Sequence, residues 1–390
     1  MRRLVAWAFV VVTTAHGLLH LLGALKGLGW AEVGTLTEPV SAAEGVLWLL
    51  AAGLVLATVT AFVARRRRWW WVLGAVAVLC SQAAIATSWR DAKAGTLANV
   101  LLLLAVGYGA AAEGPRSLRT AYRGWERDAW PGPDASSGDP VTEADLGALP
   151  EPVAAWVRWS GAVGRPRVGA LRARISGRIR GGADRPWMRF TGQRVNTFGP
   201  RPTRSFLLDA TMKGLPVDVL HHYGADGATM RVRVLSLVGM VDASGPELTR
   251  AETVTVLNDL CVMAPAALAV ADVAWEAIDA RRARATYTVG PHTVSAVLEV
   301  DEQGRLVDFV SDDRLKANDA GTQFTSQRWS TPLGGALERD GRRLAANGQA
   351  VWHDPDGPLT YLEIDIEDVE YGPPPRASAV GAPPERHLTT

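Results

Sequence analysis

Apolar residues run almost unbroken through the first quarter of the chain and become periodic after it. The early runs are Leu4 to Trp30, Gly45 to Ala64, Trp69 to Trp89 and Thr96 to Ala112. A helix crossing a bilayer core needs ~20 consecutive apolar residues, and each run approaches that length. The first is longer than a signal peptide's apolar region, and no small-residue cleavage pattern follows it, so it reads as a retained span. From Leu149 the pattern changes. A short helix carrying Trp156 and Trp159 comes first. Then Leu171, Ala173, Ile175, Gly177 and Ile179 alternate with Arg172, Arg174, Ser176, Arg178 and Arg180, a strand with one buried and one wet face. Strand-like runs follow at Trp187–Phe198, Arg204–Met212, Val217–Tyr223, Thr229–Val238, Ala283–Val289, Thr293–Val300 and Arg305–Ser311. The last are Gln323–Ser330, Gly341–Ala345, Gln349–His353 and Thr360–Tyr371. Hairpin chemistry at 224–227, 290–291, 301–304 and 354–357 separates them and predicts an antiparallel meander. One stretch departs from this period. Across Glu252 to Asp272, Val254, Leu257, Cys261 and Ala264 recur at helical spacing, and Pro265 interrupts them.

The expected fold class is therefore an N-terminal four-helix transmembrane bundle followed by a C-terminal α+β domain, a curved antiparallel sheet (a half-barrel) packed on one helix. The bundle occupies 1–114, a basic juxtamembrane helix and a Pro/Gly/Ser linker 115–147, the half-barrel 148–372, and a Pro/Ala-rich disordered tail 373–390. Charge orients the spans. Arg2 and Arg3 precede the first, Arg65 to Arg68 join the second to the third ahead of Trp69, Trp70 and Trp71, and Arg116, Arg119, Arg123 and Arg127 follow the fourth. Arginine accumulates in cytoplasmic loops and tryptophan at the headgroup level, so the N-terminus and the C-terminal domain are expected in the cytoplasm of a multi-pass cell-membrane protein. Arginines interleaved with Leu118, Tyr122, Trp125 and Trp130 suit a helix lying on an anionic membrane surface.

Two constellations are candidates for chemistry. His16 and His20 share one helix face near the middle of the first span, beside Thr13, Gly17, Gly23 and Gly27. Glu44, Ser81, Gln82, Asp91 and Asn99 fall in the same half of the bilayer, so the histidines and these residues form a candidate polar seam. Such a seam is a packing device, a ligand or proton site, or the start of a metal site. The second constellation is aromatic: Trp187, Phe190, Phe206, Trp275, Tyr287, Phe309, Trp329 and Trp352 lie on or beside strands and make either an ordinary sheet core or the wall of a cavity for an apolar ligand. His221 and His222 point to opposite strand faces, and Asp312 and Asp313 read as a solvated hairpin end.

Composition narrows the function classes. A net charge of +1 gives no bulk basic character, so nucleic acid is not an expected partner. Cys80 and Cys261 lie in regions too different to pair. No nucleophile elbow, zinc-protease motif, P-loop or dinucleotide fingerprint occurs, so no catalytic residue, metal or cofactor is assigned. The stretches LPEPVAAWVRWSGAVGRPRV, WEAIDARRARATYTVGPHTVSAVLEVDEQGRLVDFVSDDR, AHGLLHLLG and SQAAIATSWRDAKAGTLAN resemble an uncharacterised bacterial family of polytopic membrane proteins, a domain of unknown function, over most of the chain. A Trp strand, the DEQGRLVDFVSDDR hairpin and the QRWSTP and AVW strands are loosely similar to lipoprotein-carrier (LolA-like) half-barrels. That resemblance implies a curved sheet that encloses acyl chains. The carriers are exoplasmic, whereas the charges here place the domain inside. The leading expectation is a membrane-anchored protein that binds a lipid or other apolar small molecule in its curved-sheet domain. A membrane enzyme or transport element using His16 and His20, and a scaffold recruiting a protein partner of unknown identity, are the alternatives.

Overall fold

The computed structural model describes residues 2–66, 69–130, 138–318 and 322–373. Two arginines of the 65–68 cluster, part of the linker and nearly all of the expected tail lie outside them. The chain divides into two compact units, Met1–Ala121 with Leu235–Val238, and Tyr122–Val234 with Gly239–Thr390.

The first unit holds α1 (Arg2–Gly27), α2 (Ala42–Val63), α3 (Trp69–Thr87), the short α4 (Trp89–Ala92) and α5 (Gly95–Glu113). Four of these helices are long and apolar enough to cross a membrane. Many of their large side chains, among them Leu4, Trp7, Leu79 and Leu104, face outward, as lipid-facing surface requires. Small residues set the helix contacts. A Cβ on Gly27 would lie 2.6 Å from the Gly45 Cα, and one on Gly23 would fall inside the Trp48 ring, so α1 meets α2 at backbone distance.

Helix α6 (Leu118–Ala129) follows, then α7 (Glu143–Leu146) and α8 (Glu151–Trp159). A first meander is built from β1 (Ala170–Ile179), β2 (Met188–Thr197), β3 (Thr203–Met212), β4 (Leu215–Gly224), β5 (Gly227–Val234) and β6 (Val238–Ser244). After α9 (Pro246–Met263) and α10 (Pro265–Leu268), the second half is β7 (Val273–Ala277), β8 (Arg282–Val289), β9 (His292–Val300), β10 (Leu306–Ser311), β11 (Leu315–Ala317), β12 (Phe324–Ser326), β13 (Trp329–Ser330), β14 (Leu333–Gly334), β15 (Leu337–Arg339), β16 (Arg342–Leu344), β17 (Asn347–Asp354) and β18 (Gly357–Gly372).

Among the described residues the main sheet has 14 strands, ordered β6-β5-β4-β3-β2-β1-β18-β17-β13-β10-β9-β8-β7, with β14 also paired to β17. Its two meanders join where β1 pairs antiparallel with β18. β6 and β7 are opposite edges of the sheet yet consecutive strands in the chain, so the connection between them, α9 and α10, must cross the sheet. It crosses the concave face. Every α9 residue from Ala251 to Met263 is buried, and the rings and aliphatic side chains of both meanders form one core around it.

The helix begins earlier than its apolar spacing suggests, at Pro246, and breaks where expected, with Ala264 leaving helical geometry ahead of Pro265. The run expected as one strand from Thr229 to Val238 is two. Leu235 and Ser236 take positive φ angles of 54° and 59°, the left-handed pair that a tight hairpin turn uses, and β6 folds back beyond them. The expected Gln323–Ser330 run likewise divides into β12 and β13.

Aromatic residues of α6 pack on the sheet. Tyr122 is buried, Trp125 stacks on His222 of β4 at 3.5 Å between ring centroids, and Trp130 lies under the Arg172 guanidinium.

Candidate functional site

Strand pairing places two rows of side chains under α9. Ala173, Arg194, Phe206 and His221 are cross-strand partners on β1 to β4, and Leu171, Asn196, Arg204 and Tyr223 form the neighbouring row. Strand alternation turns all eight to the concave face. On α9, Glu252 and Asp259 are seven residues apart and so share the helix face that meets these rows.

The result is a buried charge cluster. Asp259 accepts from Arg194 Nη1, from Arg204 Nε at 2.8 Å and from Asn196 Nδ2 at 2.9 Å. Glu252 accepts from Arg204 Nη1 at 2.9 Å and lies 3.6 Å from both Arg314 Nη2 and His221 Nδ1. The Arg194, Arg204, Glu252 and Asp259 side chains are between 4% and 6% exposed. Burial alone would raise both carboxyls. Arg204, His221 and Arg314 hold Glu252 well below the usual carboxylate range, and Arg194 and Arg204 do the same for Asp259.

Aromatic rings frame the cluster. The Phe206 ring lies 4.6 Å from the Arg194 guanidinium and 5.5 Å from that of Arg204. Arg314 sits 5.3 Å from the Trp329 ring and 5.8 Å from that of Trp352. Trp352 stacks on Tyr361, whose hydroxyl accepts from Trp329 Nε1 at 3.2 Å, and the Trp329 ring meets Phe309 edge-on.

Further polar bonds hold α9 along its length. Arg250 pairs with Asp313, which also accepts from Ser295 N at 2.7 Å, so Asp313 is a tie to α9 rather than a solvated hairpin end. Asn258 donates to Thr331, and Tyr223 bonds Thr253. At the C-terminal turn Trp156 Nε1 donates to the Cys261 carbonyl at 2.9 Å and the Tyr371 hydroxyl to that of Met263 at 2.7 Å. These two donors satisfy carbonyls that the end of a helix leaves open.

Of the eight aromatic candidates, Phe190, Phe206, Tyr287, Phe309, Trp329 and Trp352 are buried in the core under α9, and Trp275 packs half-buried against it. Trp187 belongs elsewhere: it lies on the convex side, against Arg178 and Arg180. The convex arginines of β1 pair with β18, as Arg172–Glu370, Arg174–Asp368 and Arg178–Glu363. A polar cleft of about 230 Å³ opens beside them, lined in part by Tyr122 and Glu126 of α6.

In the first unit the seam residues separate into two sets. His16 Nε2 lies 2.9 Å from Asn99 Oδ1, and His20 Nε2 lies 2.8 Å from Ser81 Oγ. Asn99 Nδ2 donates to Gln82 Oε1 at 3.0 Å, and Gln82 Nε2 to Thr96 at 3.2 Å. His20 Nδ1 can only donate to the His16 carbonyl, at 2.9 Å, so in a neutral imidazole Nε2 accepts the Ser81 proton. The Ser81 hydroxyl also lies 2.7 Å from Asn99 Oδ1 and 3.1 Å from His16 Nε2, so its single proton is shared among the members of the network. Glu44 and Asp91 stand outside it. Glu44 forms a capping box with Ser41 at the start of α2, and Asp91 accepts from Thr37 and Glu38 in the preceding loop.

The six charged or titratable members of the concave cluster, Arg194, Arg204, His221, Glu252, Asp259 and Arg314, were not singled out by the hydrophobic pattern. Two signals could have found them. Arg194 and Asn196 share strand parity with Phe190, and the pair of acids seven apart interrupts an otherwise apolar helix face.

None of the curated proteins matches this chain. Solved structures similar to it include a DUF1329 family protein from Desulfovibrio piger, at 14% identity and a TM-score of 0.31, covering 56% of this chain and 91% of that one. A LolA superfamily protein from Nitrosomonas europaea is similar at 10% identity and a TM-score of 0.26, covering 60% of this chain and 91% of that one. A family model matches residues 139–364, more than half of the sequence and nearly all of the sheet. On that match the chain belongs to the family of unknown function DUF6544.

Proposed function

We propose that the protein is a membrane-anchored binder that takes a lipid or another apolar ligand into the concave face of its half-barrel. The observation that carries this reading is what fills that face. It is a single crossover helix, broken at Ala264–Pro265, lying over Phe206, Phe309, Trp329 and Trp352. The helix is rich in threonine and valine, at Thr249, Thr253, Val254, Thr255 and Val256, residues that favour helix weakly. Its side-chain contacts hold it in place more than its own propensity does, and many of those contacts are polar and exchangeable. Moving α9 aside would bare a curved aromatic wall. An acyl chain entering there gains roughly 0.8 kcal/mol per buried CH₂, so a chain longer than ~10 methylenes reaches about micromolar affinity after ordering costs.

The four apolar helices support delivery of such a ligand from the bilayer. The arginines at 65–68 and after the fourth apolar helix favour an arrangement with both termini and the half-barrel in the cytoplasm. The test is native mass spectrometry of the full-length protein extracted in a non-ionic detergent. The expected result is a discrete lipid adduct, exchangeable with added lipid. A protein that stays adduct-free in the presence of excess lipid contradicts the reading.

One observation favours a second reading, a membrane enzyme or transport element. The chain from His20 through Ser81, His16, Asn99 and Gln82 to Thr96 is continuous across α1, α3 and α5. Activity lost in His16→Leu/His20→Leu with the fold intact would support it.

A further inference from the structure

The carboxylates of α9 occupy the place that a ligand's own anion would take. We propose that the ligand of the concave face is an anionic amphiphile, an acyl chain bearing a carboxylate or phosphate, whose charge replaces Glu252 and Asp259 on Arg194, Arg204 and Arg314. The inference rests on the reading above and names the class of ligand.

Among the described residues of the cluster, three guanidinium groups face two carboxylates. Arg194 Nε and Arg314 Nε are buried and find no acceptor among the described residues. The site therefore has spare cationic capacity even with α9 in place. When α9 moves, both carboxylates leave with it, while the arginines remain on the sheet and on the segment before β11. A neutral apolar ligand would leave the buried Arg194 and Arg204 and the part-exposed Arg314 unpaired, and removing one partner from a buried pair is strongly destabilising. An anion entering with its acyl chain removes that penalty. Guanidinium is also the side chain best shaped to grip a carboxylate or phosphate through two parallel hydrogen bonds. The surroundings suit an amphiphile in particular. Phe206, Trp329 and Trp352 lie against the guanidinium faces, so head and chain sites adjoin. Arg314 and His221, 13% and 21% exposed, are the members of the cluster nearest solvent, where a headgroup would enter.

The experiment uses full-length protein in amphipol, with 11-(dansylamino)undecanoic acid as fluorescent probe. The competitors are oleate, oleyl alcohol, dioleoyl phosphatidate and dioleoyl phosphatidylcholine. Oleate or phosphatidate should displace the probe at concentrations at least about tenfold below those of their uncharged or zwitterionic counterparts. Preference for oleate identifies a carboxylate, and preference for phosphatidate a phosphate. Oleyl alcohol competing as well as oleate, and phosphatidylcholine as well as phosphatidate, overturns the inference and leaves the apolar-binding reading standing. A probe that never saturates overturns both. Two variants sharpen the result. Arg314→Gln should reduce the preference for the anion. Glu252→Gln removes the internal competitor and should tighten oleate binding, an effect that a merely structural carboxylate would not give. Equal weakening of oleate and oleyl alcohol in Glu252→Gln counts against the proposal.

Discussion

Asp259 of α9 accepts from Arg204 Nε of β3 at 2.8 Å, with side chains only 4% and 5% exposed. A pair this buried contributes little over a well-packed apolar pair, but breaking it leaves an uncompensated charge. Asp259→Ala should therefore lower stability by about 3–5 kcal/mol. Thermal unfolding followed by tryptophan fluorescence checks this. A loss under about 1 kcal/mol would mean that water or another acid reaches Arg194 and Arg204.

The pH dependence follows from carboxyls with opposite shifts. Glu252 and Asp259 titrate below their unfolded values of about 4, so their contribution is complete above that pH and is lost as pH falls through their folded values. Asp308 behaves in the reverse way. Burial pushes it up to about 6, although the Phe309 N–H bonded to it pulls the other way. Its contribution is complete below about 4 and is lost as pH rises through about 6. Asp308→Asn should match the parent protein near pH 4 and unfold at a higher temperature near pH 7.5. Melting curves at both values decide it.

Much of the fold was legible because two periods dominate the sequence. The alternation of Leu171, Ala173 and Ile175 with Arg172 and Arg174 corresponds to the buried and exposed faces of β1. The long runs became helices within a few residues of their expected ends. What escaped was set by tertiary contact. β6 was hidden by a hairpin turn made of Leu235 and Ser236, with none of the Gly or Asn that normally announces positive φ. Arg194 and Arg204 looked like the other strand arginines, and it takes their parity with Phe190 and Phe206, read through the pairing register, to show that they face α9 while Arg172 faces out. Trp187 lies apart from the other aromatic candidates, on the convex side, because a residue ahead of a strand has no face set by alternation.

The His16–His20 network of the first unit predicts a graded outcome. His20→Leu removes the acceptor for Ser81 and the donor to the His16 carbonyl. As a packing element alone, it should lower bundle stability by ~0.5–2 kcal/mol in detergent. Ser81→Ala removes that bond together with the Ser81 contacts to His16 and Asn99, so its cost should overlap with that of His20→Leu rather than add to it in full. Additive losses in thermal melts of the double variant would show that the two side chains are not coupled.

Orientation is open to a direct test. Arginines before the first apolar helix, between the second and third, and after the fourth predict that a reporter fused after Gly372 works only if it is one that functions in the cytoplasm. Strong activity of an export-dependent reporter at that position would reverse the arrangement.

The account depends most on the movement of α9. The measurement closest to that claim is hydrogen–deuterium exchange of the full-length protein in amphipol, with and without saturating oleate. Backbone amides of 250–263 are predicted to exchange faster when oleate is bound, while those of β1 and β2 stay protected, because the ligand takes the place of the helix on an unchanged sheet. Unaltered protection of α9 at ligand saturation would contradict the account.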